Sequence, residues 1–231
     1  MSQEIEDLKK LGQYFNKRID ESSNSLYVNG YSAEKNKTTV NKIYDEVFLE
    51  ANNIMNVLPE EQVLEIGTGS GELLYRLNNI TGNASGVDIS EGMAKLTRQK
   101  NLNVTLYDGW VLPFDKDTFD CLILYQVFIN IPNDVARNLI KEAVRVVKKN
   151  GRIFIGAVPH PERSALPTHA GNWRTLLKKV LGIKQPIPYT SYDYSFFTKE
   201  FDKLGLSQVS FFPCTVQLPN WDTKFHILLN T

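Results

Sequence analysis

Apolar positions Val40, Ile43, Tyr44, Val47, Phe48, Ala51, Ile54 and Met55 recur at spacings of three and four, which predicts a helix that buries one face. Thr38 or Thr39 is placed to cap it, and Pro59 bars its extension. Residues 4–18 carry a shorter helical pattern. A polar stretch over 21–36, holding Tyr27 and Tyr31, separates the two.

Beyond Pro59 the pattern alternates. Buried-type strands are predicted at 62–66, 84–88, 104–107, 121–125 and 152–158. Helices fall between them at 72–79, 91–100 (Ser90 as cap) and 134–149, the last closed by Asn150-Gly151 in a left-handed turn. Strands joined through helices need crossover connections, so the prediction is a parallel α/β sheet with helices on both faces. The last third differs. Residues 159–196 hold Pro159, Pro161, Pro167, Pro186 and Pro188, together with His160, His169, Trp173, Tyr189, Tyr192 and Tyr194. That composition predicts a loop-rich insertion with a short helix at 173–181. A helix at 198–204, with Gly205 as its C-cap, and strands at 208–212 and 224–229 follow.

At 231 residues and 42% hydrophobic the chain fills one sizeable α/β core, which excludes fibrous and disordered classes. Its 26 basic and 26 acidic side chains balance, so charge draws it neither to nucleic acid nor to an anionic membrane. Only residues 151–231, with 9 basic and 5 acidic groups, are mildly basic. Cys121 and Cys214 lie in apolar surroundings without metal-type spacing and are expected as small core residues, with no metal site. The first residues lack a basic region followed by an apolar run, and no run of eighteen apolar residues occurs; the expectation is a soluble, cytoplasmic protein without a membrane span.

The chemistry concentrates in Val63-Leu64-Glu65-Ile66-Gly67-Thr68-Gly69-Ser70-Gly71-Glu72. A buried strand ends near an acid, a glycine turn leaves room for a ligand, and the amides of a helix N-terminus face it. A dinucleotide fingerprint requires a glycine where Glu72 stands, and an acid there opposes a pyrophosphate. A ligand without phosphate suits the site better.

Glu65-x-Gly67-x-Gly69-x-Gly71 resembles the first motif of class I S-adenosylmethionine-dependent methyltransferases. Val87-Asp88, Asp108-Gly109 and the run Leu112-Pro113-Phe114 with Phe119-Asp120 follow in the order seen in the small-molecule, ubiquinone-biosynthesis-like group. The resemblance is close over residues 60–160. It implies a Rossmann-like doubly wound sheet of seven strands in the order 3-2-1-4-5-7-6, the last antiparallel. It also implies a single domain over 1–231: an N-terminal helical cover (1–60), a cofactor-binding core (61–158), an acceptor-side insertion (159–197) and a C-terminal helix and strands (198–231). S-adenosyl-L-methionine is the implied cofactor, held by Glu65, Gly67, Thr68, Gly69 and Gly71, with Asp88 on the ribose hydroxyls and Asp108 and Gly109 on the adenine. Ile89, Met93 and Trp110 are implied beside the ring, and Tyr125 and Gln126 beside the methionine part. Each has a bland alternative: Asp88 as a cap for the next helix, Asp108 as a turn residue.

The implied reaction is in-line methyl transfer, in which the protein aligns two reactants and excludes water. An oxygen acceptor needs a base, and His160 and His169, just past the fifth strand, are the candidates. His226, inside a strand, is expected to be structural. Tyr14, Tyr27 and Tyr31 are candidates for a cover over the cofactor. Tyr125-Gln126-Val127-Phe128 is not the Asn/Asp-Pro-Pro-Tyr type of amino-methylating enzymes. With neutral charge, this favours a small-molecule acceptor over nucleic acid. The alternatives are a protein or RNA methyltransferase, a cofactor-binding module without catalysis, and, more distantly, a nicotinamide oxidoreductase.

Overall fold

The computed structural model describes residues 2–21, 29, 37–164, 189–216 and 221–231. Two helices, α1 (Ser2–Glu21) and α2 (Lys37–Met55), precede an alternating region. That region runs β1 (Val63–Ile66), α3 (Glu72–Thr81), β2 (Ala84–Asp88), α4 (Glu91–Arg98), β3 (Asn103–Leu106), β4 (Phe119–Tyr125), α5 (Asn133–Val146) and β5 (Val147–Pro159). The short α6 (Pro161–Ser164), then α7 (Tyr194–Asp202), β6 (Val209–Pro213) and β7 (Lys224–Asn230), complete it. The strands form one sheet in the order β3-β2-β1-β4-β5-β7-β6, and β7 runs antiparallel to both neighbours, as the resemblance implied. None of the described helices is long and apolar enough to cross a membrane.

Period-two alternation along β4 builds both cores. Cys121, Ile123 and Tyr125 face α2 and α3, while Leu122 and Leu124 face α5 and α7. Leu8 and Leu11 of α1 join the second core, so the N-terminal helix packs against the sheet's ligand-binding end. The order reverses between β1 and β4. That reversal opens a crevice at the carboxyl ends of the strands, where open α/β sheets bind ligands.

Several predicted boundaries move for identifiable reasons. Helix α2 is described from Lys37 on, so Thr38 and Thr39 lie inside its first turn rather than ahead of it. Helix α5 ends at Val146 rather than at 149, because Val147 already pairs with Phe119 of β4. Asn150 does turn left-handed (φ 67°), but within β5, where its N–H donates to the Thr231 carbonyl (2.8 Å) and Gly151 accepts from Thr231 N (3.0 Å). Helix α7 starts at Tyr194, capped by Asp193, whose carboxylate accepts from Phe196 N at 2.9 Å. Gly205 takes the left-handed turn after it (φ 73°). Ser90 caps α4 as predicted, accepting from Met93 N at 3.1 Å. The predicted helix at 173–181 lies outside the described residues.

Candidate functional site

The loop from β1 into α3 sets the site. Gly67, Gly69 and Gly71 have φ values of 76°, 52° and 77°, a left-handed path that side chains resist. The loop is tied to β2 by Gly67 N and Thr68 N, which donate to Val87 O at 2.8 and 3.3 Å. Asn29 lies across it: Oδ1 accepts from Ser70 N (2.9 Å), and Nδ2 donates to Ser70 Oγ (3.0 Å) and to the Tyr44 hydroxyl. A Cβ on Gly69 would fall 2.4 Å from Asn29 Oδ1, so this glycine is needed for the close approach. Periodicity gave no sign of Asn29, which acts across 41 residues of sequence.

Two carboxylates sit at the head of this loop; among the described residues neither forms an ion pair, although Lys100 acts on Glu65 from a distance. Glu65 is 3% exposed; burial and then the neighbouring Asp88 push its pKa well up, while the Leu74 N–H favours its charged form. Asp88 is raised to about 6 by burial, although its two oxygens accept from Gly69 N and Ser90 N, both at 2.8 Å. Glu72, whose charge was expected to oppose a phosphate, is compensated by Lys100 (2.7 Å) and Arg76 (3.3 Å). Exclusion of phosphate therefore rests on Glu65 and Asp88. A pair of this kind favours a ligand that brings a positive charge or hydroxyl donors.

Buried polar atoms left without hydrogen-bond partners mark the same crevice: Glu65 Oε2, Thr68 Oγ1 and Gln126 Nε2. Gln126 follows β4 in a left-handed conformation (φ 60°), its N–H held by Gly156 O at 3.0 Å. The set offers one acceptor and two donors to a ligand carrying an ammonium and a carboxylate, so the residues fit the methionine part of S-adenosylmethionine.

At the β2 and β3 ends, α1 forms a roof. Asn16 Oδ1 accepts from Gly92 N (2.9 Å) and Ser90 Oγ (2.7 Å), and a Cβ on Gly12 would stand 2.7 Å from Ile89 O. Leu8 closes over Gly109 beside Ile89: a Cβ at Gly109 would lie 2.9 Å from Leu8 Cδ1 and 3.1 Å from Ile89 Cγ2. Asp108 is exposed and accepts from Trp110 N (2.8 Å) and Val111 N (3.0 Å), the geometry of its turn reading. Trp110 is half-buried, with its carbonyl taken by Asn138, and Met93 is fully buried in the first turn of α4. Tyr14 stays on α1, where its hydroxyl accepts from Arg18 (2.9 Å). Tyr27, Tyr31 and His169 lie outside the described residues.

The histidines separate. His160 directly follows β5, is 7% exposed, and packs on Tyr194 and Phe225 at ring distances of 5.0 and 6.0 Å; its Nδ1 has no hydrogen-bond partner. His226 is fully buried in β7 and stacked on Phe154. Its Nδ1 accepts from Ala157 N (3.1 Å), so Nε2 carries the proton, 2.9 Å from Glu50 Oε2. Donor atoms of Glu50, Cys214 and His226 all lie within 4.8 Å of one another. A metal-bound histidine donates from its second nitrogen, whereas here that nitrogen accepts, which makes the trio a hydrogen-bonded anchor of α2 to the sheet. Burial opposes the Glu50 charge, but the bonds from His226 and Thr215 outweigh it and hold the pKa low.

Comparison with known proteins bears on the family and the fold. Residues 63–151 match the family model described as Methyltransferase domain. An uncharacterized protein of Methanocaldococcus jannaschii is 35% identical across 44% of this chain and 46% of its own length. A demethylmenaquinone methyltransferase of Tropheryma whipplei is 26% identical across 61% of this chain and 59% of its own. The chain thus spans about half the length of the curated relatives it matches. Among solved structures, magnesium protoporphyrin IX methyltransferase from Synechocystis PCC 6803, with bound SAH, shares the fold at a TM-score of 0.68 and 18% identity, covering 97% of this chain and 100% of that one. The matched segment spans the glycine loop, both carboxylates and the central strands, so residues 63–151 are a methyltransferase domain of the class I S-adenosylmethionine-dependent kind that the resemblance implied.

Proposed function

We propose that the protein transfers a methyl group from S-adenosylmethionine to a small-molecule acceptor, at an oxygen atom, by in-line displacement. The observation that carries this reading is the buried Glu65–Asp88 pair at a glycine loop whose surrounding polar atoms lack partners. When bound, S-adenosylmethionine supplies a methyl group already activated on a sulfonium. In this reading Asp88 accepts from the ribose hydroxyls, Asp108 and the Gly109 N–H address the adenine, and Ile89, Met93 and Trp110 shape its walls. Glu65, Thr68 and Gln126 hold the amino acid end, and Tyr125 stands where the acceptor approaches. Helix α1 excludes water from above. His160, whose buried Nδ1 has no partner, receives the acceptor's proton, with His169 as second candidate.

Matched relatives support a ring-type acceptor: one is named a demethylmenaquinone methyltransferase, and another, from Teredinibacter turnerae, a ubiquinone/menaquinone biosynthesis C-methyltransferase. Carbon methylation is therefore the competing outcome. Calorimetry tests the cofactor: S-adenosylmethionine and S-adenosylhomocysteine should bind in the micromolar range and NAD should not. Saturation by NAD without response to the sulfonium cofactor would sink the reading. Once an acceptor is found, mass analysis of the product distinguishes oxygen from carbon, and wild-type turnover in both His160→Ala and His169→Ala removes histidine from the mechanism.

A further inference from the structure

Lys224 is the first residue of β7 and pairs with Pro159, the last of β5, so it stands on the carboxyl-end rim that also carries Tyr125 and Gln126. It is only 4% exposed. Strand alternation turns Lys224 and His226 towards the face covered by α2, opposite Phe225 and Ile227. On that face Cys214 lies beside Lys224, its N–H donating to the Lys224 carbonyl (3.4 Å), and the Tyr125 hydroxyl reaches the Cys214 thiol. Val47 of α2 and Val216 pack against Tyr125 and complete an apolar wall.

Among the described residues no hydrogen bond or ion pair reaches the Lys224 ammonium; its one electrostatic neighbour is Cys214. Among the described residues no carboxylate acts on the ammonium, the charged Glu50 included. The Cys214 thiol is pushed up to about 12 by burial and then by Glu50, and stays neutral. Glu50 is committed to His226 and to the N–H and hydroxyl of Thr215. The imidazole of His226 is fixed as the Nε2–H tautomer by Ala157. Burial accordingly pushes Lys224 down to about 8. Buried charges in folded proteins are paired, and an unpaired ammonium at a ligand-binding rim awaits a partner from outside.

We propose that Lys224 is an anion-binding residue, receiving a carboxylate or phosphate group of the methyl acceptor beside Tyr125. That the anion belongs to a methyl acceptor rests on the methyltransferase reading; the anion site itself does not. An anionic substituent entering here meets a buried cation that no described residue neutralises, and the apolar wall of Val47, Val216 and the Tyr125 ring strengthens the attraction. A neutral acceptor would leave the ammonium stranded.

The test uses the whole protein labelled with carbon-13 at lysine Cε. The Lys224 signal is identified by its loss in Lys224→Met, a variant that keeps the packed stem and is expected to fold. Without ligand the signal should titrate near pH 8. Benzoate or inorganic phosphate at tens of millimolar should move that midpoint upward by about one unit, a tenfold effect, and benzamide should not. Whichever anion acts identifies the group. The variant should bind that anion about tenfold or more weakly, yet bind S-adenosylhomocysteine like wild type. A midpoint that benzoate and phosphate both leave in place, or that benzamide moves equally, overturns the proposal. If the anion moves the midpoint but S-adenosylhomocysteine fails to bind, the anion site stands and the methyltransferase reading falls.

Discussion

Replacing Asp88 with asparagine puts the site's electrostatics to a quantitative test. The carboxylate titrates near 6 in the folded chain against an ordinary 3.8, because burial outweighs the two backbone N–H bonds it accepts. About two pH units correspond to about 3 kcal/mol. An acid whose folded pKa lies above its unfolded value binds more protons when folded. Stability therefore rises as pH falls from 6 towards 4, and above 6 the full penalty of the buried charge is present. Asparagine cannot ionise, so the unfolding free energy of wild type minus that of the variant should drop by about 3 kcal/mol between about pH 4 and pH 7. Glu65, which is also raised, adds its own slope to both proteins and largely cancels in the difference. At pH 7 the absolute gap should be small. The asparagine amide turns a donor towards Gly69 N or Ser90 N, and that loss of about 1–3 kcal/mol offsets most of the relief. Urea unfolding followed by circular dichroism at several pH values reads the first quantity, and calorimetry with S-adenosylhomocysteine reads the second. An ionised carboxylate accepting from the ribose diol makes wild-type affinity fall about tenfold per unit below pH 6, and makes the variant about 10–100-fold weaker at neutral pH. A stability difference flat with pH, together with ligand affinity within threefold of wild type, would refute the reasoning and leave Asp88 as a brace for the glycine loop.

Lys224→Met should raise stability at pH 7 by up to about 3 kcal/mol, since the folded pKa of about 8 lies below the ordinary 10.5. The gain is full below pH 8 and fades as pH rises towards 10.5; a melting-temperature series over that range checks it, and a constant offset would contradict it. Glu50→Ala leaves the buried His226 Nε2 without its acceptor, while the exposed Thr215 groups turn to water, and should cost about 1–3 kcal/mol, whereas Glu50→Gln should cost less than half as much. Equal melting points for the two variants would show that the anchor carries no weight. Gly12→Val places a Cβ 2.7 Å from Ile89 O and should lift α1 from the β2–α4 corner at about 1–3 kcal/mol. Hydrogen exchange should quicken over 2–21 and leave β4 unchanged; unaltered protection of α1 would show that its packing tolerates the branch.

The elements legible in the sequence are those set by local rules. Apolar spacing along α2, alternation through β1 and β4, and the Ser90 cap each depend on neighbours within a few residues. Positive φ at Gly67, Gly69 and Gly71 was implicit in residue type. What stayed hidden depends on partners far along the chain. Asn150-Gly151 has the composition of a helix cap, yet the bonds to Thr231 place it within a strand. Asn16 reads as one polar residue on a helix and becomes a ligand for the N–H of Gly92 only when α1 docks. Lys224 is one lysine in a β pattern, and its unpaired state emerges from the commitments of Glu50 and His226, which come together across 176 positions. The family resemblance reaches the cofactor side because its motifs are contiguous; the acceptor side proposed above draws on Val47, Tyr125, Val216 and Lys224, residues far apart in the sequence.

Charges of opposite sign are kept apart along one rim: two acids pushed up at the β1 and β2 ends, one lysine pushed down at the β5–β7 end. Had these groups served stability alone, pairing them would have relieved both penalties; backbone N–H bonds to the two acids offset the penalty only in part, and a ligand can supply the rest. On that account the two half-sites are ready in different ranges. Asp88 is ionised for hydroxyl donors above about pH 6, and Lys224 is protonated for an anion below about pH 8. Methyl transfer to an anionic acceptor should therefore give a bell-shaped kcat/KM with limbs near those values. In Asp88→Asn the residual activity should lose the acidic limb, and in Lys224→Met the alkaline one. A profile that climbs steadily beyond pH 9 would mean that the ammonium takes no part in binding the acceptor, while an acidic limb persisting in Asp88→Asn would move that titration to another base.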